Sequence, residues 1–249
     1  MDPSPKRRPQ LPNSPLTEVV CELKFAGNLS VFSAWGELQR RYHDRFPKLY
    51  VPGALQGTSP LLQPVRLTSA EEDRQVLLAV NTLAYSESRY CCFDDFRNEL
   101  DTLLASWAEL CRIDTFTRLG LRFVNQLPPR FPSAPTSGRL HPCLKLELQG
   151  WDKIPREFSA QPVVGFLVEG DRARLRVLIQ EPPFPSARRG VGQDVELSSG
   201  VLLDLDAFAE GPIAAREVQS LLEEAHSMVD EAFFGMITDE YLRYLGGGE

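Results

Sequence analysis

The end of the chain combines a strand-like segment with a long amphipathic helix. Residues 201–207 are apolar except at Asp204 and Asp206, which predicts a strand. From about Ile213 onward, apolar residues recur at helical spacing and form one stripe, which comprises Val218, Leu221, Leu222, Ala225, Val229, Ala232, Phe233 and Met236. Thr238 is suited to capping a short terminal helix. A helix with a single apolar stripe must bury it, and the neighbouring strand indicates that it does so against a sheet.

The first half of the chain also mixes strand and helix patterns. From Leu16, apolar residues at every second position predict a strand with Val19, Cys21, Leu23 and Phe25 on its inner face. Ser30 is suited to start a helix that Pro47 stops. The patterns that follow predict strands at 65–67, 76–80 and 83–85, a helix from Asp94 to Cys111, and a strand at 117–127.

A segment rich in proline and serine follows at 128–142 and is interpreted as a connection between two halves. Beyond it, the sequence predicts a strand at 144–148 and a hairpin that turns at Gly170-Asp171 between strands 163–169 and 172–180. The predicted organisation is therefore an extended or mobile arm at 1–15, an α+β half at 16–127, the connection at 128–142, and a β-rich half with a long closing helix at 143–249.

This order of elements predicts an α+β fold, with antiparallel sheet and the helices packed on one side of it. Two loosely similar ferredoxin-like halves are one arrangement compatible with the order, although no sequence repeat links the halves.

Composition restricts the class of function. The chain has 249 residues, of which 43% are hydrophobic and 24% are charged, and these values are typical of a globular protein. A formal net charge of -7 argues against a protein that coats nucleic acid or an anionic membrane, so we expect protein or small-molecule partners. Five irregularly spaced cysteines indicate reduced thiols, and no apolar run follows the basic residues near the N-terminus. The sequence therefore predicts a cytoplasmic protein without membrane association.

Several segments carry a resemblance to a known family. They are the opening Leu-Pro-Asn-Ser-Pro-Leu-Thr-Glu-Val-Val from Leu11, the central 117–125, the Leu-Leu-Asp-Leu-Asp that ends at Asp206, and the closing residues around His226 and Ile237-Thr-Asp239. Together they resemble a sporadically distributed, uncharacterised family of bacterial proteins. The resemblance spans about 11–246 and implies no catalytic residue. The family's scattered occurrence resembles that of accessory genes, including defence and mobile-element genes.

Four arginines form the main candidate for binding. Alternation places Arg118 and Arg122 on one side of strand 117–127, and Arg174 and Arg176 on the corresponding side of the hairpin strand. If these strands share a sheet face, that face would bind RNA, a nucleotide or an acidic protein segment. The alternative is cross-strand pairing with acidic residues, which would neutralise the arginines; the available acids are Glu18, Glu22, Asp204 and Asp206.

Asp204 and Asp206 are the main candidate for chemistry. Two residues apart in a strand, their carboxylates lie on one face at a separation of roughly 6.5 to 7 Å, which suits a shared divalent metal or divided acid and base roles. No further ligands complete such a site in the sequence, and a polar sheet face is the simpler interpretation. Adjacent Cys91 and Cys92 lack the two-residue spacer of a zinc site, although either could be a reactive thiol. Glu223 and His226 have the Glu-x-x-His spacing without a second copy.

We therefore expect a non-enzymatic cytoplasmic interaction module or accessory subunit, without a cofactor, that binds another protein encoded nearby. Self-association through an exposed sheet edge or the closing helix is compatible with the same reading. One alternative is a binder of nucleic acid or another anion through the four arginines. A less favoured alternative is a metal-dependent enzyme that uses Asp204 and Asp206.

Overall fold

A computed structural model describes residues 11–51, 64–128, 131, 139–147, 163–180 and 200–248. In this part of the chain the protein is α+β, with nine strands and four helices. The strands are β1 (Leu16–Lys24), β2 (Lys48–Tyr50), β3 (Val65–Thr68), β4 (Arg74–Ala79), β5 (Thr82–Glu87), β6 (Thr115–Leu127), β7 (Val163–Glu169), β8 (Arg174–Gln180) and β9 (Val201–Ala214). The helices are α1 (Ser30–Arg41), α2 (Phe93–Cys111), α3 (Val218–Met236) and α4 (Asp239–Leu245).

All nine strands belong to one antiparallel sheet, in the order β2-β3-β4-β5-β1-β6-β9-β8-β7. The central order β4-β5-β1-β6, with α1 and α2 as the connecting helices, is the split βαβ arrangement of ferredoxin-like folds. The described residues of the second half add the meander β9-β8-β7 and not a second copy of that arrangement. Strand β6 pairs with β9 along most of its length, so the described strands on either side of 128–142 form a continuous sheet.

The hydrophobic core lies on the sheet face that the three long helices cover. Alternate residues of the central strands point to this face, as the sequence predicts; Cys21, Leu121 and Leu205 lie there on neighbouring strands and are fully buried. Residues from α1, α2 and α3 join the same hydrophobic cluster. The alternation that predicts the strands therefore also selects the side on which the helices pack.

Two predicted boundaries are wrong in the second half. Ile213 was expected to begin the closing helix, but it pairs with Phe116 as part of β9, and a 3-10 turn at Ala215–Glu217 separates that strand from α3. The reason is that β6 is long enough to pair with β9 as far as Ala214. The strand predicted at 144–148 is reduced to isolated bridges, one of them between Leu144 and Ile237, while residue 148 lies outside the described residues.

The two ends of the described chain meet at α4. Thr238 caps this helix as predicted, because its side-chain oxygen accepts a hydrogen bond from the Tyr241 backbone N–H. The Asn13 backbone N–H donates to the Leu245 carbonyl oxygen at 3.2 Å, and its side-chain amide donates to the Tyr244 carbonyl oxygen at 2.8 Å. Residues 11–15 of the predicted arm are thus attached to the fold, whereas 1–10 lie outside the described residues.

No helix in the described ranges combines the length and apolar character needed to cross a membrane.

A buried carboxylate on the core side gives the fold a pH dependence. The Tyr85 hydroxyl donates a hydrogen bond to Glu87, and both residues are buried. Burial raises the pKa of Glu87, against the lowering effects of Tyr85 and Arg74. Because the folded state favours the protonated acid, this group stabilises the fold at pH values below its unfolded pKa, and that contribution is lost as pH rises through the folded pKa.

We therefore expect Glu87→Gln to raise the midpoint temperature at pH 7.5 by a few degrees and to leave it nearly unchanged near pH 4. Thermal unfolding followed by circular dichroism across this range measures both values. Glu231→Gln, at an exposed position of α3, is the control and should change neither. A Glu87→Gln protein less stable than wild type at pH 7.5 would contradict the expectation.

Candidate functional site

The sheet face opposite the helices carries the four arginines and two aspartates singled out in the sequence. Strands β6 and β8 are not neighbours, because β9 lies between them. The strand register places Asp206 of β9 directly between Arg122 on one side and Arg176 on the other. The arginine and aspartate positions therefore belong to one surface, which we call the charged face.

On the charged face, each arginine contacts an acidic side chain. Arg122 binds Asp204 through two hydrogen bonds, from Nε to Oδ1 at 2.8 Å and from Nη2 to Oδ2 at 2.7 Å. Asp206 accepts from Nη2 of Arg176 at 2.6 Å and from Nη2 of Arg118 at 3.3 Å.

The two remaining contacts involve Glu22 and Glu169. Arg118 reaches Glu22 at 2.9 Å, and Arg174 lies 3.2 Å from Glu169 at the end of the hairpin. The neutralising pairs considered in the sequence are therefore present for Arg118, Arg122 and Arg176, while Arg174 uses an acid that sequence reasoning did not single out.

The carboxylates lie beneath the guanidinium groups. The side chains of Asp204 and Asp206 are 7% and 6% exposed, whereas those of Arg122 and Arg176 are 47% and 61% exposed. The hydrogen bond to Asp204 raises the pKa of Arg122 above its already high ordinary value. Since Arg118, Arg122 and Arg176 are paired with these buried carboxylates, an incoming phosphate would have to compete with them, which weakens the anion-binding interpretation.

The same contacts bear on the metal hypothesis. Both oxygens of Asp204 accept hydrogen bonds from Arg122, and Asp206 is held by two arginines. A cation shared by these carboxylates would have to displace guanidinium groups that already balance their charge. The geometry is that of an ion-pair network on a sheet face, and a metal role for Asp204 and Asp206 stays a prediction without structural support.

Among the described strands, β7 forms one edge of the sheet, and it exposes apolar side chains in both directions. It contains seven residues, and its exposed large side chains are Val163 at 56%, Phe166 at 38%, Leu167 at 51% and Val168 at 42%. Glu169, at the end of the strand, is its one charged residue. We call this strand the β7 edge.

The β7 edge could be recognised only in part from the sequence. Its run Val-Val-Gly-Phe-Leu-Val is apolar on both faces, a pattern typical of a strand in the middle of a buried sheet. Only the sheet order shows that it lies at an edge. The signal available in the sequence was the contrast with β8, whose arginines alternate with buried apolar residues.

The opposite edge of the sheet has a different character. Strand β2 contains three residues and begins at Lys48, which contacts Glu72 at 2.7 Å. A short strand with a charged residue is one of the ways in which proteins protect an edge against pairing with another chain. Of the two edges, the β7 edge is therefore the less protected.

His226 has a packing role in this structure. Its ring stacks on Phe93 with 3.9 Å between ring centroids, and Nε2 lies 3.8 Å from Asp230. Glu223, its partner in the Glu-x-x-His spacing, contacts Arg97 at 2.9 Å. This pair therefore joins α3 to the start of α2.

No family model matches the chain, and no curated protein matches it either. The choice among functions therefore depends on the geometry of the charged face and the β7 edge.

Proposed function

We propose that the protein is a non-enzymatic cytoplasmic interaction module that binds another protein by pairing its β7 edge with an extended segment of that partner. The observation that carries this proposal is the exposure of four large apolar side chains on an edge strand of seven residues. Edge strands present unpaired backbone donors and acceptors, and proteins normally protect them with charges, proline or short length. The β7 edge has none of these protections along residues 163–168.

The composition of the strand indicates the chemistry of the partner. A pairing segment gains backbone hydrogen bonds along the edge, and its alternate side chains meet the two faces of the strand. Phe166 and Val168 point to one face, and Leu167 to the other. Because the edge is uncharged up to Glu169, the best match is an apolar, uncharged segment of about six residues.

The charged face supports a binding role for the β7 edge indirectly. Its ion pairs fix β6, β9 and β8 relative to one another, and β8 in turn pairs with β7 along the whole length of that strand. A strand that is held in this way offers its edge with little loss of conformational entropy on binding. In the context of the bacterial resemblance, the protein fits the role of an accessory subunit whose partner is encoded nearby.

The test uses two matched leucines at opposite edges. Leu167 on β7 is 51% exposed and Leu49 on β2 is 45% exposed, so replacing either with lysine should leave the fold intact. We expect Leu167→Lys to weaken partner binding at least tenfold, because it replaces an exposed apolar side chain of the edge with a positive charge next to Arg176, where an uncharged partner segment would pack. Leu49→Lys should bind as wild type does.

The protein and its variants are used as bait for affinity capture in the native host, and quantitative mass spectrometry identifies the captured proteins. Hydrogen exchange on the purified complex then locates the contact. The proposal is supported if one protein is captured at equal molar ratio by wild type and by Leu49→Lys, is lost with Leu167→Lys, and protects the amides of 163–169. It is contradicted if Leu167→Lys captures the same partner equally well. A purified chain that forms a dimer sensitive to Leu167→Lys would assign the edge to a second copy instead.

A further inference from the structure

The connection between β5 and α2 brings three metal-binding side chains together. A sulfur of Cys91, a sulfur of Cys92 and a carboxylate oxygen of Asp95 all lie within 4.8 Å of one another. Among the described residues, this is the one group of three or more histidine, cysteine or acidic side chains that meets this distance. It lies apart from the charged face, at the start of α2, and plays no part in the proposed function.

The backbone explains why adjacent cysteines converge here. Cys92 precedes the first residue of α2 and has an extended conformation, with φ -156° and ψ 162°. Asp95, in the first turn, folds back and is in hydrogen-bond contact with Cys92. The adjacent cysteines lack the usual spacer of a zinc site, and Asp95 adds a third side chain with a ligand atom, which the spacing alone does not reveal.

The two thiols are the accessible ones in the protein. Cys91 is exposed and Cys92 is partly exposed, whereas Cys21, Cys111 and Cys143 are buried. A disulfide between Cys91 and Cys92 would be strained, because consecutive Cα atoms are about 3.8 Å apart and disulfides favour about 4.4 to 6.8 Å. Both sulfurs therefore remain thiols that can coordinate a metal.

We propose that Cys91, Cys92 and Asp95 form a surface site for a thiophilic divalent cation such as Zn²⁺. Two sulfurs on one tetrahedral zinc ion lie about 3.8 Å apart, given Zn–S bonds of about 2.3 Å. This value lies within the 4.8 Å that bounds the separations of the three ligand atoms. Each thiol loses its proton to the solvent as its sulfur binds, and water occupies the fourth position. The bound ion would link the β5–α2 connection to the first turn of α2.

The test titrates the full-length, reduced protein with Co²⁺ and then with Zn²⁺. Co²⁺ bound to thiolate gives a charge-transfer absorption band, which Zn²⁺ removes by displacement, and native mass spectrometry gives the stoichiometry. We expect one ion per chain, with loss of the absorption band in both Cys91→Ser and Cys92→Ser. Asp95→Asn should weaken binding at least tenfold.

Asp94→Asn is the matched control, because Asp94 is also in the first turn of α2 but contacts Arg97 at 3.4 Å. It removes the same charge and should change the affinity less than twofold. Circular dichroism confirms that each variant is folded. The proposal is overturned if wild type binds no ion at equimolar concentration, if Asp95→Asn and Asp94→Asn have equal effects, or if the absorption band survives loss of either cysteine.

Discussion

Replacing Arg122 with alanine is expected to lower the free energy of unfolding by about 2–4 kcal/mol, because it leaves the carboxylate of Asp204 buried without its partner. Arg122 occupies both oxygens of Asp204, whose side chain is only 7% exposed. The cost of leaving a charge uncompensated in such a position exceeds the net strength of the pair itself. Chemical denaturation monitored by tryptophan fluorescence measures the change.

A double variant separates the cost of leaving Asp204 uncompensated from the net strength of its pair with Arg122. Arg122→Leu combined with Asp204→Leu removes both charges and replaces them with apolar side chains, so we expect it to recover most of the lost stability. Arg174→Ala is the control on the same face. Its partner Glu169 is 68% exposed, so its loss should cost less than about 1 kcal/mol. Equal costs for Arg122→Ala and Arg174→Ala would show that burial of the aspartate does not matter.

Truncating Trp107 to alanine should lower the free energy of unfolding by about 3–5 kcal/mol. Trp107 lies on α2, is 1% exposed, and packs against Phe25 with 5.9 Å between ring centroids. It is among the largest fully buried side chains in the described part of the protein. The loss therefore combines the transfer of a large apolar group with the cavity left between α2 and the sheet.

The indole nitrogen of Trp107 allows a second comparison. Its Nε1 has no hydrogen-bond partner among the described residues. Trp107→Phe keeps an aromatic ring and removes a buried donor that is costly to leave unpaired, so we expect it to cost less than half as much as Trp107→Ala. Denaturation curves of the two variants give the comparison. Equal destabilisation by phenylalanine and alanine would contradict this expectation, because it would mean that the smaller aromatic ring recovers none of the lost packing.

The first half of the fold follows closely from local patterns. The alternation at Val19, Cys21 and Leu23 identifies a strand with one buried face, and the structure buries these residues completely. The stripe on α2 likewise predicts the helix to within one residue at its start. These elements are predictable because each buries one face, and burial of one face produces a repeat of apolar residues that can be recognised within the segment itself.

The sheet order and the second half depend on distant partners, and are harder to predict. Strand β9 extends through Ile213 because β6 offers a partner there, which no local pattern at 208–214 reveals. The short β2 has three exposed residues and therefore no alternation to detect.

The candidate sites also contain features that follow from local sequence patterns and features that depend on distant partners. Facing arginine and aspartate strands could be anticipated from alternation, and so could their mutual neutralisation. The position of β9 between β6 and β8 could not, although it decides which arginine meets which aspartate. The β7 edge and the approach of Asp95 to Cys91 and Cys92 depend on sheet order and on the backbone path into α2, which residue spacing does not encode.

The position of β1 in the middle of the sheet has a consequence for synthesis on the ribosome. Of the described strands, β1 is synthesised first, yet its partners are β5 and β6, and β6 is completed only at Leu127. Arg118 can already meet Glu22 of β1, whereas Arg122 meets Asp204 only after β9 has been made. Contacts so distant in sequence favour slow folding. Until about residue 206 has emerged, Arg122 on the nascent chain therefore lacks Asp204, its partner in the folded protein, and Arg118 has only Glu22.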